Sequence, residues 1–138
     1  MAANTNPIYP RTPQIEWGAT ALTAANTVKD GTGTVLTVFT ADATEGSYLK
    51  ELVFRSAGTN IATVARVFIN NGSTNATAGN NILFKEITLP ATTLTEVANL
   101  QDVTLPMDLA LPIGYVINVV LGTAVAAGYY ISGNGGKY

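Results

Sequence analysis

The chain has 138 residues, enough for one domain that buries about two thirds of the surface its unfolded form exposes. Charged residues make up only 12% and the net charge is -2, with the seven Lys and Arg scattered from Arg11 to Lys137, so no clustered phosphate-binding surface is expected and nucleic acid is excluded as a main partner. The absence of cysteine and histidine excludes disulfides, thiolate chemistry, Ser-His-Asp machinery and Cys- or His-ligated metal, and no cofactor or metal is expected.

From the N-terminus, Pro7, Pro10 and Pro13 mark a leader with almost no apolar periodicity. Fixed proline φ favours extended or polyproline-like backbone there, so residues 1–16 are read as an extended N-terminal arm and residues 17–138 as a β-sandwich domain. From Trp17 onward, segments rich in Val, Ile, Thr, Tyr and Phe alternate with Gly, Asn, Asp and Pro, the signature of short antiparallel strands. The expected strands are Gly18 to Val28, Thr34 to Thr40, Leu49 to Ser56, Ala62 to Ile69, Ile82 to Leu89, Thr93 to Ala98, Leu100 to Pro106, Tyr115 to Leu121 and Gly128 to Ser132. A short helical turn at Leu94 to Leu100 is the alternative for the sixth.

Turn chemistry separates these segments. Asp30-Gly31-Thr32-Gly33 and Asn70-Asn71-Gly72 tolerate positive φ, and Leu111-Pro112-Ile113-Gly114 reads as a proline-initiated turn. Gly133-Asn134-Gly135-Gly136 reads as a flexible tail. In Tyr115 to Leu121, Val116 and Val120 alternate with an already apolar set, so both faces of that strand are expected to be covered, one by the opposite sheet and one by the arm, a loop or a neighbouring subunit. The fold class is all-β, an antiparallel sandwich of jelly-roll type.

Few residues suggest chemistry. A glycosidase-like carboxylate pair is the remaining catalytic option, yet Glu51 and Glu86 each follow a lysine on a strand and read as solvated charges. The loop Asn70 to Asn81 has no carboxylate for calcium; Asn71 and Asn75 offer amides that suit a protein backbone or a sugar. Both asparagines sit in glycosylation tripeptides, but no export signal precedes them. The longest apolar runs fall far short of the roughly 20 residues that a membrane helix needs. Phe39, Phe54, Phe68 and Phe84 are expected in the core, whereas Tyr9, Trp17, Tyr129, Tyr130 and Tyr138 flank the chain ends and suit interface anchoring. The contact candidates are Ile8, Tyr9, Arg11, Trp17, Asn71, Asn75, Tyr130 and Tyr138.

The run ATVARVFINNGSTNATAGNNILFKEITLPATTLTEV at Ala62 to Val97 and the run LPMDLALPIGYVINVVLGTAVAAGYY at Leu105 to Tyr130 resemble small proteins from tailed-phage structural gene regions. The resemblance centres on Arg66 to Gly72 and Leu111 to Tyr115 and covers roughly Val38 to Tyr130. It implies a virion component of the capsid cement or decoration type: made in the host cytoplasm, placed on the capsid exterior, binding major capsid protein and itself as a homotrimer, with no catalysis. The alternatives are a receptor-binding or tail-fibre tip that contacts host glycan through Asn70 to Asn81, and a carboxylate-based polysaccharide hydrolase.

Overall fold

Turns that demand left-handed backbone punctuate the strands: Gly46, Gly72 and Gly114 all have positive φ and each lies in a connection between strands. The computed structural model describes residues 10–138. Eight strands follow in chain order: β1 Thr12–Trp17, β2 Leu36–Thr40, β3 Ser47–Ser56, β4 Thr63–Asn70, β5 Asn81–Leu89, β6 Asp102–Leu111, β7 Val116–Leu121 and β8 Tyr129–Lys137. A 3-10 turn, Ala78–Asn80, precedes β5.

The strands form two four-stranded sheets, β1-β8-β3-β6 and β2-β7-β4-β5. Every ladder is antiparallel, and the pairs β1 with β8, β2 with β7, β3 with β6 and β4 with β5 nest inside one another like a long hairpin folded twice. The sheets pack face to face around Phe39, Leu49, Leu52, Phe54, Val67, Leu105, Met107, Ile117, Val119, Leu121, Tyr129 and Ile131. Burying a side chain such as Phe39 or Phe54, each 0% exposed, contributes about 1.5–3 kcal/mol. The expected antiparallel β-sandwich is the fold observed.

Several expectations need correction. The boundary placed between residues 16 and 17 falls inside β1: Thr12–Glu16 pairs with Gly133–Lys137, so only residues before it can form an arm, and Met1 to Tyr9 lie outside the described residues. Proline is tolerated in β1 because this is an edge strand. The segment Gly133 to Gly136 is no tail but part of β8, held between β1 and β3. Its glycines permit close approach: a Cβ on Gly135 would stand 2.0 Å from the Tyr48 carbonyl oxygen.

Two expected strands are absent. Thr93 to Ala98 lies in the β5–β6 connection without strand or helix. Gly18 to Val28 makes only isolated bridges, Leu22 with Tyr129 and Ala25 with Leu121, in the long β1–β2 connection. That connection supplies the cover expected for β7, whose Asn118 and Val120 are buried although they alternate with the core residues Ile117, Val119 and Leu121. The Asn26 N–H donates to Leu121 O at 2.8 Å, and a Cβ on Gly31 would come within 3.1 Å of the Phe68 ring. A loop of the same chain therefore covers this face, and the double burial of β7 is not evidence for a neighbour. Phe84 is also misplaced by the sequence reading: it lies on the outer face of edge strand β5 at 37% exposure, while Phe39, Phe54 and Phe68 are fully buried.

Candidate functional site

Alternation along β1 sorts its side chains by face. Gln14 is buried and Glu16 half-buried, while Ile15 and Trp17 point outward at 62% and 70% exposure. In β8, Tyr129, Ile131 and Gly133 are buried and Tyr130 is 57% exposed on the other face. The ladders set a row across the sheet, Trp17 opposite Ser132, Ser132 opposite Val53 and Val53 opposite Thr104. Beside it Arg55 stands between Tyr130 and Asp102, and its guanidinium meets the Asp102 carboxylate at 2.6 Å. Trp17, Val53, Arg55, Asp102, Tyr130 and Ser132 line a depression of ≈ 190 Å³.

Trp17 also borders a second hollow, of ≈ 340 Å³, between the edges of the two sheets. Ile15, Glu16, Thr37, Val38 and Thr40 complete its lining. The neighbouring edge of β2 is partly capped by β1 side chains: Glu16 Oε2 accepts from the Thr40 N–H at 2.6 Å and Gln14 Nε2 donates to Thr40 O at 2.9 Å. Gln14 is held in turn by the buried Ser47 hydroxyl, which donates to Gln14 Oε1 at 2.6 Å. Among the described residues the edge of β1 has no such cap from a neighbouring strand, because β8 occupies only its other side.

The sequence candidates thus divide. Trp17 and Tyr130 come together on one face. Arg11 and Tyr138 lie at the far end of the same ladder, where Arg11 Nη2 meets Glu45 Oε1 at 2.5 Å and Oε2 at 2.7 Å and donates to Tyr138 O at 3.4 Å. Asn71 and Asn75 sit in the β4–β5 loop, and both are engaged within the chain. Asn71 Oδ1 accepts from the Ser73 N–H at 3.1 Å, and Asn75 Nδ2 donates to Gly33 O at 2.8 Å. Asn80 and Asn81 likewise donate to Thr74 O and Asn75 O. Ile8 and Tyr9 lie outside the described residues.

Sequence reasoning missed Ile15, Val53, Arg55 and Asp102. The signal for Ile15 was available: Thr12 to Trp17 alternates Gln14 and Glu16 with Ile15 and Trp17, the period-two pattern of a strand.

Electrostatics are muted on this face and stronger at the opposite end of the ladder. There the backbone N–H groups of Thr44 and Glu45, aided by Lys137 Nζ at 3.1 Å, hold the Asp42 carboxyl below its ordinary value of 3.8, at about 2. Among the described residues no group of three or more acidic side chains is placed to hold a metal ion. The arrangement around Trp17 suits contact chemistry: two large amphipathic rings, aliphatic surface between them and one exposed ion pair at the rim. No protein-family model matches the chain, and no match is found among curated proteins or solved structures.

Proposed function

We propose that this chain is a non-catalytic structural protein of a tailed-phage particle, a jelly-roll module that decorates or cements the capsid exterior by binding major capsid protein and self-associates as a homotrimer. The phage setting rests on the resemblance over Val38 to Tyr130. The nested pairing of β1 with β8 through β4 with β5 supports reading the sandwich as a jelly roll.

The observation that carries the contact role is the outward display of Ile15, Trp17 and Tyr130 on neighbouring strands, beside the open edge of β1. Large rings at such exposure cost solvation that a permanent contact recovers. The self-engaged amides of Asn71, Asn75, Asn80 and Asn81 weigh against the glycan-binding alternative, since their hydrogen-bonding groups hold the loop itself.

The test is co-sedimentation of the purified protein with shells of the major capsid protein that lack it, read together with shell melting temperature. The wild type binds and raises the melting temperature; a Trp17→Ser, Tyr130→Ser variant with an unchanged circular dichroism spectrum loses both effects. Absence of wild-type binding, or full binding by the double variant, overturns the reading.

A further inference from the structure

Among the described residues no strand lies on the outer side of β1, and this side of the sandwich, at β1 and β2, has the form of a site for strand addition. The Gly18 N–H donates to Ile131 O at 3.0 Å, so carrying the ladder alternation back from Gly18 directs Gln14 and Glu16 main-chain groups toward β8 and those of Pro13, Ile15 and Trp17 toward the free edge. Pro13 offers only a carbonyl there, which suits an edge. Next to these groups lies the hollow of ≈ 340 Å³ lined by Ile15 and Trp17 from β1 and by Val38 from β2. Backbone hydrogen bonds along an edge, with an adjacent apolar trough for alternate side chains, are the requirements of strand addition.

The occupant follows from the chain outside the described residues. Residues 1–9 carry no charged side chain and place Ile8 and Tyr9 between Pro7 and Pro10. This composition matches a trough whose one carboxylate, Glu16, is already committed to Thr40. The point of departure decides which copy supplies them. Pro10 packs on the β8 side of β1, where a Cβ on Gly136 would meet the Pro10 Cβ at 2.4 Å. At about 3.3 Å per residue, Trp17 lies on the order of 20 Å along the strand from Pro10. Residues 1–9 span at most about 30 Å fully extended. To fill its own trough the segment would have to cross β1 and run back along it, whereas a neighbour's segment needs no reversal.

We propose that residues 1–9 of one copy of this chain add along β1 of the next copy, with Ile8 and Tyr9 set in the trough beside Ile15, Trp17 and Val38. The contact is head-to-tail, so it closes into a ring when the rotation between copies permits, and each copy both gives and receives a segment. The proposal rests on the self-association part of the reading above and requires no capsid.

Trp17 is the sole tryptophan, so its emission reports the trough directly. The full-length protein, followed by fluorescence and analytical ultracentrifugation, shows blue-shifted, quencher-protected emission in an oligomer that reverts to red-shifted emission as dilution yields the 14.4 kDa monomer. Removing residues 1–9, which leaves β1 intact, gives a folded monomer with exposed emission; so does the full-length Ile8→Asp, Tyr9→Ser variant. A synthetic peptide of residues 1–10 restores the blue shift to the truncated protein. Exposed emission in the full-length protein overturns the proposal. So does buried emission in a monomer, meaning that the chain fills its own trough, or an oligomer that survives truncation. Failure to bind capsid shells while these results hold removes the capsid reading alone.

Discussion

Asn60 and Gly128 clamp one another at two points across the end of the sandwich. Asn60 Nδ2 donates to Gly128 O at 3.0 Å, and Asn60 Oδ1 accepts from the Gly128 N–H at 2.9 Å. The same amide accepts from the Ala127 N–H at 2.8 Å and donates to Ser56 Oγ at 2.9 Å. The Asn60 backbone meanwhile exchanges hydrogen bonds with Thr92. Three connections, β3–β4, β5–β6 and β7–β8, thus converge on one residue, 3% exposed, through its side chain and its backbone.

Replacing Asn60 by Ala strands the backbone N–H groups of Ala127 and Gly128, while Gly128 O keeps its bond from the Ala57 N–H at 2.9 Å. At about 1–3 kcal/mol for an unmet buried group, with partial rescue by entering water, Asn60→Ala is expected to cost about 3 kcal/mol. A lower urea midpoint with an unchanged denaturant slope is the signature. A loss below about 1 kcal/mol would show that the three loops hold without the clamp.

Acid response should pass through Asp42. Its folded-state pKa is depressed to about 2 from 3.8, so its stabilising contribution is complete above the unfolded value and disappears as pH falls through the folded one. The melting-temperature gap between wild type and Asp42→Asn is therefore expected to be constant above about pH 5 and to shrink toward pH 2. A gap that does not change across that window would place the acid sensitivity elsewhere.

Gly135 separates steric need from glycine content. An alanine there drives its Cβ onto the Tyr48 carbonyl between two ladders, whereas nothing lies within 4 Å of a Cβ on Gly79. Gly135→Ala is expected to abolish cooperative unfolding and soluble expression, while Gly79→Ala leaves the melting curve within about 0.5 kcal/mol of wild type.

Asp108 is the one non-glycine residue with positive φ among the described residues, at 45°, and it accepts from the Tyr48 hydroxyl at 2.8 Å. Left-handed backbone is tolerated by Asp and Asn and resisted by β-branched residues. Asp108→Asn is expected to be near neutral and Asp108→Val to cost about 1–2 kcal/mol in chemical denaturation.

The seven strands read from Val, Ile and Phe enrichment, β2 through β8, arise because their alternation coincides with burial between two sheets. Pro13 hides β1 in the sequence: proline at that spacing reads as an arm, yet an edge strand has a side on which no N–H is needed. The second half of β8 was hidden by its glycines, which read as a tail in one dimension and are required only where two neighbouring backbones press in from either side. Gly18 to Val28 misled in the opposite direction, because its apolar residues cover a sheet face and do not enter a ladder. That Trp17 and Tyr130 share one exposed face depends on a pairing between residues more than a hundred positions apart, which local pattern does not encode.

That pairing carries a consequence for synthesis. Among the described residues β1 has one ladder partner, β8, and β8 is also what joins β1 to the remainder of its sheet. During translation β1 waits unpaired until β8 has been made, so closure of this ladder is a late, long-range step of the kind that slows folding. Trp17 and Tyr130 come onto one face only once that ladder has formed. Display of the two rings together therefore reports that β8 has been made and paired, and a chain cut before β8 cannot present them side by side.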